Sequence, residues 1–172
     1  MKKMISMLFA LAVMIPALAL ALAGSPVLLV DLPQDAQMIE NIAFDDGDFI
    51  QTYQLSGGAN VQLLRYQAFD MTLGDLIASE WMGATDVREA AVTSVGGYPA
   101  HGLRFTYPQE NGDALDVTLI LVDADGATLV FEAVYPAALG DMQIGAAVEQ
   151  MIASMDVMEA SGAPADESAE VG

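Results

Sequence analysis

Residues 98–136 read YPAHGLRFTYPQENGDALDVTLILVDADGATLVFEAVYP, and the placing of their turns decides the fold. Within this stretch Leu115–Val122 is apolar at both parities: Leu115, Val117, Leu119 and Leu121 share one side, while Ile120 and Val122, joined by Val130 and Val134 of the next run, line the other. A strand apolar on both sides is buried on both sides. Glu110-Asn111-Gly112-Asp113 and Asp123-Ala124-Asp125-Gly126 separate Tyr98–Tyr107, Leu115–Val122 and Ala127–Tyr135. Upstream, Val87–Val95 meets Tyr98 across Gly96-Gly97, a glycine pair that supplies the positive φ of a tight hairpin. The four runs predict an antiparallel meander whose sheet is covered on both faces.

Working outward, Phe49–Leu55 and Asn60–Ala68 flank Ser56-Gly57-Gly58-Ala59 as a further hairpin, and Leu28–Leu32 is a short apolar run closed by Pro33. Two segments change from a period of two to one near 3.6. Leu73, Leu76, Ile77 and Trp81 predict a helix over 72–82, with Thr72 and Asp75 spaced as a capping box. Ile144, Val148, Met151 and Met155 predict a longer helix over 141–155, with Asp141 as its cap. These helices, or the N-terminal segment, are expected to cover the two faces. The predicted fold is therefore an α+β sandwich, with two main helices beside a mostly antiparallel sheet, and not an open one-sided sheet.

The ends of the chain point to export. Lys2 and Lys3 precede an apolar stretch from Met4 to Leu18, and Ala19-Leu20-Ala21 and Ala21-Leu22-Ala23 are small-x-small sites, so residues 1–23 are expected to be a signal peptide cut after Ala23. A retained anchor is the competing reading, because Met4–Ala23 is about long enough to span a thin bilayer. The absence of cysteine excludes lipid attachment at a lipobox and leaves an exported core without disulfides. Residues 24–158 are expected to form one domain and 159–172 a disordered acidic tail. Without residues 1–23 the chain has no lysine, and Arg65, Arg88 and Arg104 face 24 carboxylates. A whole-chain net charge of −19 argues against nucleic acid and anionic lipid as partners. Periplasmic or extracellular residence follows, with no stable membrane insertion after cleavage and with stability that rises with salt.

Val30-Asp31-Leu32-Pro33, the hairpin at Ser56-Gly57-Gly58, the helix opening Met71-Thr72-Leu73, and Val95-Gly96-Gly97-Tyr98-Pro99-Ala100 leading into Leu103-Arg104-Phe105-Thr106 together resemble the PsbP-like group, which includes PsbP, DcrB and the Mog-type Ran-binding proteins. The resemblance spans nearly the whole chain after residue 23. It implies an α/β/α sandwich with a twisted, mostly antiparallel sheet flanked by two main helices, acting as a binding or accessory subunit and not as an enzyme. Its motifs are turns and core positions, so it carries over no functional residue.

Three side chains are candidate binding residues. His101 is the only histidine, and alternation places it with Leu103 and Phe105, the setting of a packed histidine with a satisfied hydrogen bond. Ser94 across the hairpin is the nearest nucleophile for it, which makes an ester or acyl hydrolase the alternative reading, although no G-x-S-x-G elbow exposes that hydroxyl. Arg104 points the opposite way and is expected near Asp116 and Glu132, as an ion pair or as a clamp for a substrate carboxylate. Trp81, like Met151 and Met155, is expected to face the core; an exposed Trp81 would mark a contact surface. One histidine and no cysteine disfavour zinc. The turns Asp45-Asp46-Gly47-Asp48 and Asp123-Ala124-Asp125-Gly126 raise a low-affinity calcium-dependent module, but neither has the EF-hand spacing, and Asp and Gly make turns without metal. No dedicated metal site and no cofactor are expected, only weak association of divalent cations with the acidic surface. The reading is an exported, soluble, non-enzymatic domain that binds a protein or a small molecule.

Overall fold

The computed structural model describes residues 25–67, 69, 71–140 and 143–159. Its centre is the quoted stretch: β7 (Tyr98–Pro108), β8 (Ala114–Ala124) and β9 (Ala127–Pro136) pair antiparallel, with Leu119 opposite Leu103 on one side and Glu132 on the other. The sheet continues through β4 (Asn60–Tyr66), β3 (Phe49–Gln54) and β2 (Gln37–Ala43) beyond β9, and through β5 (Thr85–Glu89) beyond β7, in the order β2-β3-β4-β9-β8-β7-β5. The short β6 (Ser94–Val95) pairs with the start of β7. Both expected glycine hairpins form: Gly57 and Gly58 have φ of +88° and +83°, and Gly96 and Gly97 +57° and +87°. A separate ribbon joins β1 (Pro26–Leu29) to β10 (Asp156–Glu159), antiparallel, with Pro26 opposite Glu159.

Each face of the sheet has its own core. On one, Phe131, Ile120, Leu129, Val61 and Val122 pack under α2 (Gln143–Ser154), which contributes Val148 and Met151, and under the β1–β10 ribbon, which contributes Leu28. On the other, Phe105, Val117, Leu119, Leu121 and Val130 meet α1 (Leu73–Glu80) and Trp81. The Thr72–Asp75 capping box forms in full, with the Asp75 N–H donating to Thr72 Oγ1 at 3.2 Å and the Thr72 N–H to Asp75 Oδ2 at 3.0 Å.

The α/β/α expectation is corrected. Ten strands stand against two α-helices among the described residues, so this is a mostly-sheet fold with two sheets. An α1 of eight residues is about 12 Å long, against about 36 Å for the eleven-residue β7 and β8, and none of its residues is buried. A helical period over two turns was enough to predict a helix but not a helical layer. On the opposite face, α2 shares the covering with a β-ribbon. A second correction concerns Val130 and Val134, which stand opposite Leu121 and Val117 and so belong to the face of Leu119, not to that of Ile120. The proposed Asp141 cap, the signal peptide 1–23 and residues 160–172 of the expected tail lie outside the described residues, while Glu159 closes β10.

Candidate binding cleft

On the face under α2, the side chains along β7 and β8 change character. Ala100, Ile120 and Val122 at one end are buried and apolar; Arg104, Thr106, Asp116 and Thr118, on the same face, are polar. The register sets them as cross-strand partners, Arg104 with Thr118 and Thr106 with Asp116, and extends the polar patch to Tyr135 opposite Asp116 and to Arg88 opposite Arg104. These six residues, with a second carboxylate at Asp86, line a cleft of about 450 Å³. Arg104, Thr106, Asp116 and Tyr135 stay half-buried at this end, because burying polar groups without partners would cost more than apolar contact returns, while Thr118 is buried.

Two contacts order the cleft. Thr106 Oγ1 donates to Asp116 Oδ1 at 3.0 Å. The Arg104 guanidinium grips the carboxylate of Glu149 from α2 with both terminal nitrogens, Nη2 reaching Oε2 at 2.9 Å and Nη1 reaching Oε1. That hydrogen bond raises the Arg104 pKa further and keeps the group charged. Arg104 Nε is buried without a partner, and Arg88 has no ion pair, among the described residues. Burial, followed by the charge of Asp116, raises the pKa of Tyr135, while Arg104 and Arg88 oppose the shift, so its hydroxyl stays a donor at neutral pH. After β9 the chain makes a single 3-10 turn (Ala137–Leu139), and Gly140 lies so close to Asp116 that a Cβ would come within 2.8 Å of Oδ2.

The candidate residues therefore part company. Arg104 lies in the cleft beside Asp116, as expected, but Glu132 does not: it stands opposite Leu119 on the other face. Trp81 is half-buried on that other face, edge-on to Phe105 and Tyr107 at centroid distances of 5.6 and 5.2 Å, which makes it a packing residue. His101 does share the side of Leu103, opposite Leu121, but it is exposed where a packed histidine was expected. Ser94 is also exposed, opposite Pro99, and no hydrogen bond joins it to His101 among the described residues. In the first acidic turn Asp48 is engaged by the Gln67 N–H at 2.7 Å and lies 3.7 Å from Arg65 Nη1. In the second, Asp125 accepts from the Tyr98 hydroxyl at 2.6 Å. Among the described residues no three His, Asp or Glu side chains converge as metal ligands.

Sequence reasoning missed Arg88, Thr106, Thr118, Tyr135 and Glu149 as members of a site. Arg104 and Asp116 signalled four of them, since polar residues at matching parity on neighbouring strands share a face; the Arg104–Glu149 contact, 45 residues apart, left no local mark.

No family model and no curated protein matches the chain. Among solved structures it is similar to LpqN, involved in cell envelope biogenesis of Mycobacterium tuberculosis, with a TM-score of 0.47 and 15% identity over 78% of this chain and 85% of that one. It is also similar to a protein of unknown function, PA94 from Pseudomonas aeruginosa, with a TM-score of 0.44 and 14% identity over 67% of this chain and 94% of that one. Neither is named as a PsbP-like protein. Among the described residues no helix is long and apolar enough to cross a membrane.

Proposed function

We propose that this chain is an exported, non-enzymatic binding domain and that a small polar ligand occupies the cleft between β5, β7, β8 and β9. One observation carries the reading. Two of the three arginines outside residues 1–23 stand directly opposite each other across β5 and β7, at a cleft lined also by hydroxyls and two aspartates, in a chain of net charge −19. Like charges at directly opposed positions destabilise a sheet. Only one of the pair is neutralised by a carboxylate among the described residues, so the arrangement is poor for stability and well suited to recognition. The cleft volume falls within the range of small-ligand sites. The signal-peptide pattern supports residence in the periplasm or outside the cell, and the PsbP-like resemblance supports an accessory role.

The test is amide-shift mapping of the ¹⁵N-labelled protein against a panel of small organic acids, amino acids and sugars. Saturable shifts centred on Arg88, Thr106, Thr118 and Tyr135 are expected. Shifts centred elsewhere on the surface, or conversion of a panel compound into product, would overturn the reading.

A further inference from the structure

Resting on that cleft, we propose that its ligand is a small carboxylic acid bearing an amino or hydroxyl group, and that Glu149 is a built-in competitor that holds Arg104 until the ligand's carboxylate replaces it. The structure already displays the recognition it would use. Arg104 presents both terminal nitrogens to a carboxylate in the parallel, two-pronged arrangement that distinguishes guanidinium from ammonium. That carboxylate comes from the solvent side: the Glu149 side chain is 57% exposed, against 26% for Arg104. Its neighbour Val148 is fully buried, so α2 is fixed to the sheet through the adjacent residue while the Glu149 side chain can swing away without moving the helix.

The cost of displacement is small, because a ligand carboxylate that regains both nitrogens restores the pair that Glu149 gives up. The ligand would gain more than Glu149 does, because Arg88 stands beside Arg104 without an ion pair among the described residues and Tyr135 and Thr118 bring hydroxyls to the same space. Asp116 sets the other half of the specificity. Its Oδ1 accepts from Thr106, and the carboxylate stays on the cleft wall opposite Tyr135. A second negative charge on the ligand would meet it unfavourably, whereas an ammonium or hydroxyl would donate to it. Carboxylate at the arginines and a donor at Asp116 describe an amino acid or a hydroxy acid better than a dianion, a phosphate or a neutral sugar.

The experiment is titration calorimetry of the full protein and its Glu149→Gln, Arg88→Gln and Arg104→Gln variants with serine and lactate, with succinate, inorganic phosphate and glucose as controls. Serine or lactate should bind, Glu149→Gln should tighten that binding about five-fold, the factor that an ion pair of about 1 kcal/mol is worth, and either arginine change should abolish it. Glu149 is exposed, so Glu149→Gln is expected to fold, and its circular dichroism spectrum checks this. Unchanged or weaker binding of serine and lactate by Glu149→Gln would overturn the competitor role. Binding of succinate, phosphate or glucose as tight as that of serine and lactate, or in their place, and lost in the arginine variants would overturn the ligand assignment and leave the binding cleft standing. Absence of binding heat with every compound, together with no amide shift in the cleft, would overturn both.

Discussion

Arg65 and Arg104 project from the same sheet face, one on β4 and one on β7, and they do opposite things. Arg65 is 3% exposed, opposite the buried Phe49 and Leu129, and its Nη1 donates to the Gly47 carbonyl at 2.7 Å with Asp48 Oδ1 3.7 Å away. It ties the turn between β2 and β3 to the sheet. Arg104 is held by a side chain from another element and opens onto a cleft with a second arginine beside it. Each carries a buried Nε with no partner among the described residues, and each lies near a carboxylate, so neither feature separates them. Accessibility does: a cation closed in by apolar residues braces the fold, and a cation at an open cleft is available to something else.

The largest expected effect is at the closed end. Arg65→Met should cost about 3 kcal/mol, because the turn loses its tie and Asp48 its nearby charge, and Arg65→Lys should recover part of it, since Nη1 alone makes both contacts and one ammonium can replace it. Urea denaturation measures both, and serine or lactate should still bind the folded fraction normally. An Arg65 variant as stable as the parent would remove the distinction between the two arginines.

A smaller effect, about 1 kcal/mol, is expected from Gly140→Ala. The new methyl would meet Asp116 Oδ2, and the carboxylate can turn away only by giving up the hydrogen bond from Thr106. Because the change reshapes one wall of the cleft and touches nothing near Arg65, it should weaken ligand binding out of proportion to its effect on stability. Equal losses in calorimetry and in denaturation would show that the cleft and the core are one unit.

How far these features were readable from sequence depends on which interactions are local. Gly57-Gly58 and Gly96-Gly97 announced their hairpins because positive φ is a property of the residue itself. Arg104 and His101 were assigned to opposite faces by counting along one strand, which needs no partner. Glu132 was misplaced because its side depends on the register between β8 and β9, which the Asp125-Gly126 turn sets by pairing Ala124 with Ala127 and hence Leu119 with Glu132. Counting outward from a tight turn at those two residues would have placed it correctly. His101 was expected to be packed because its parity is apolar, yet parity gives a direction and not a cover, and α1 is too short to cover the whole face. β2 was not foreseen: Gln37–Ala43 is exposed along its whole length and so lacks the alternation of a half-buried strand, and its backbone ladder to β3, with Glu40 accepting from the Thr52 hydroxyl, is a contact between distant residues.

Arg104→Met tests the open end directly and should change stability by less than about 1 kcal/mol, as is usual for a solvent-accessible pair, while abolishing serine and lactate binding. Thermal unfolding beside calorimetry separates the two readouts. A loss of stability equal to that of Arg65→Met would make Arg104 a second brace and remove the contrast between the two arginines.

The smallest effect sharpens the comparison from the other face, where a carboxyl has no arginine. Glu132 stands between Gln62 on β4 and Leu119 on β8, beside Trp81, and the charge that acts on it is another acid, Glu80 of α1. Burial first, and Glu80 second, push its pKa above the ordinary 4.5, with Trp81 opposing weakly. A carboxyl whose folded-state pKa lies above its unfolded value adds stability that is complete below the unfolded value and is lost as pH rises through the folded one. Glu132→Gln removes that loss, so the variant should match the parent near pH 4 and exceed it in stability near pH 7, a difference read from denaturation midpoints across that range. The general repulsion of an acidic chain tilts both profiles alike, and the difference between them isolates the one group. A variant less stable than its parent at neutral pH would mean that ionised Glu132 is held by a favourable partner, and that the two faces treat their acids in the same way.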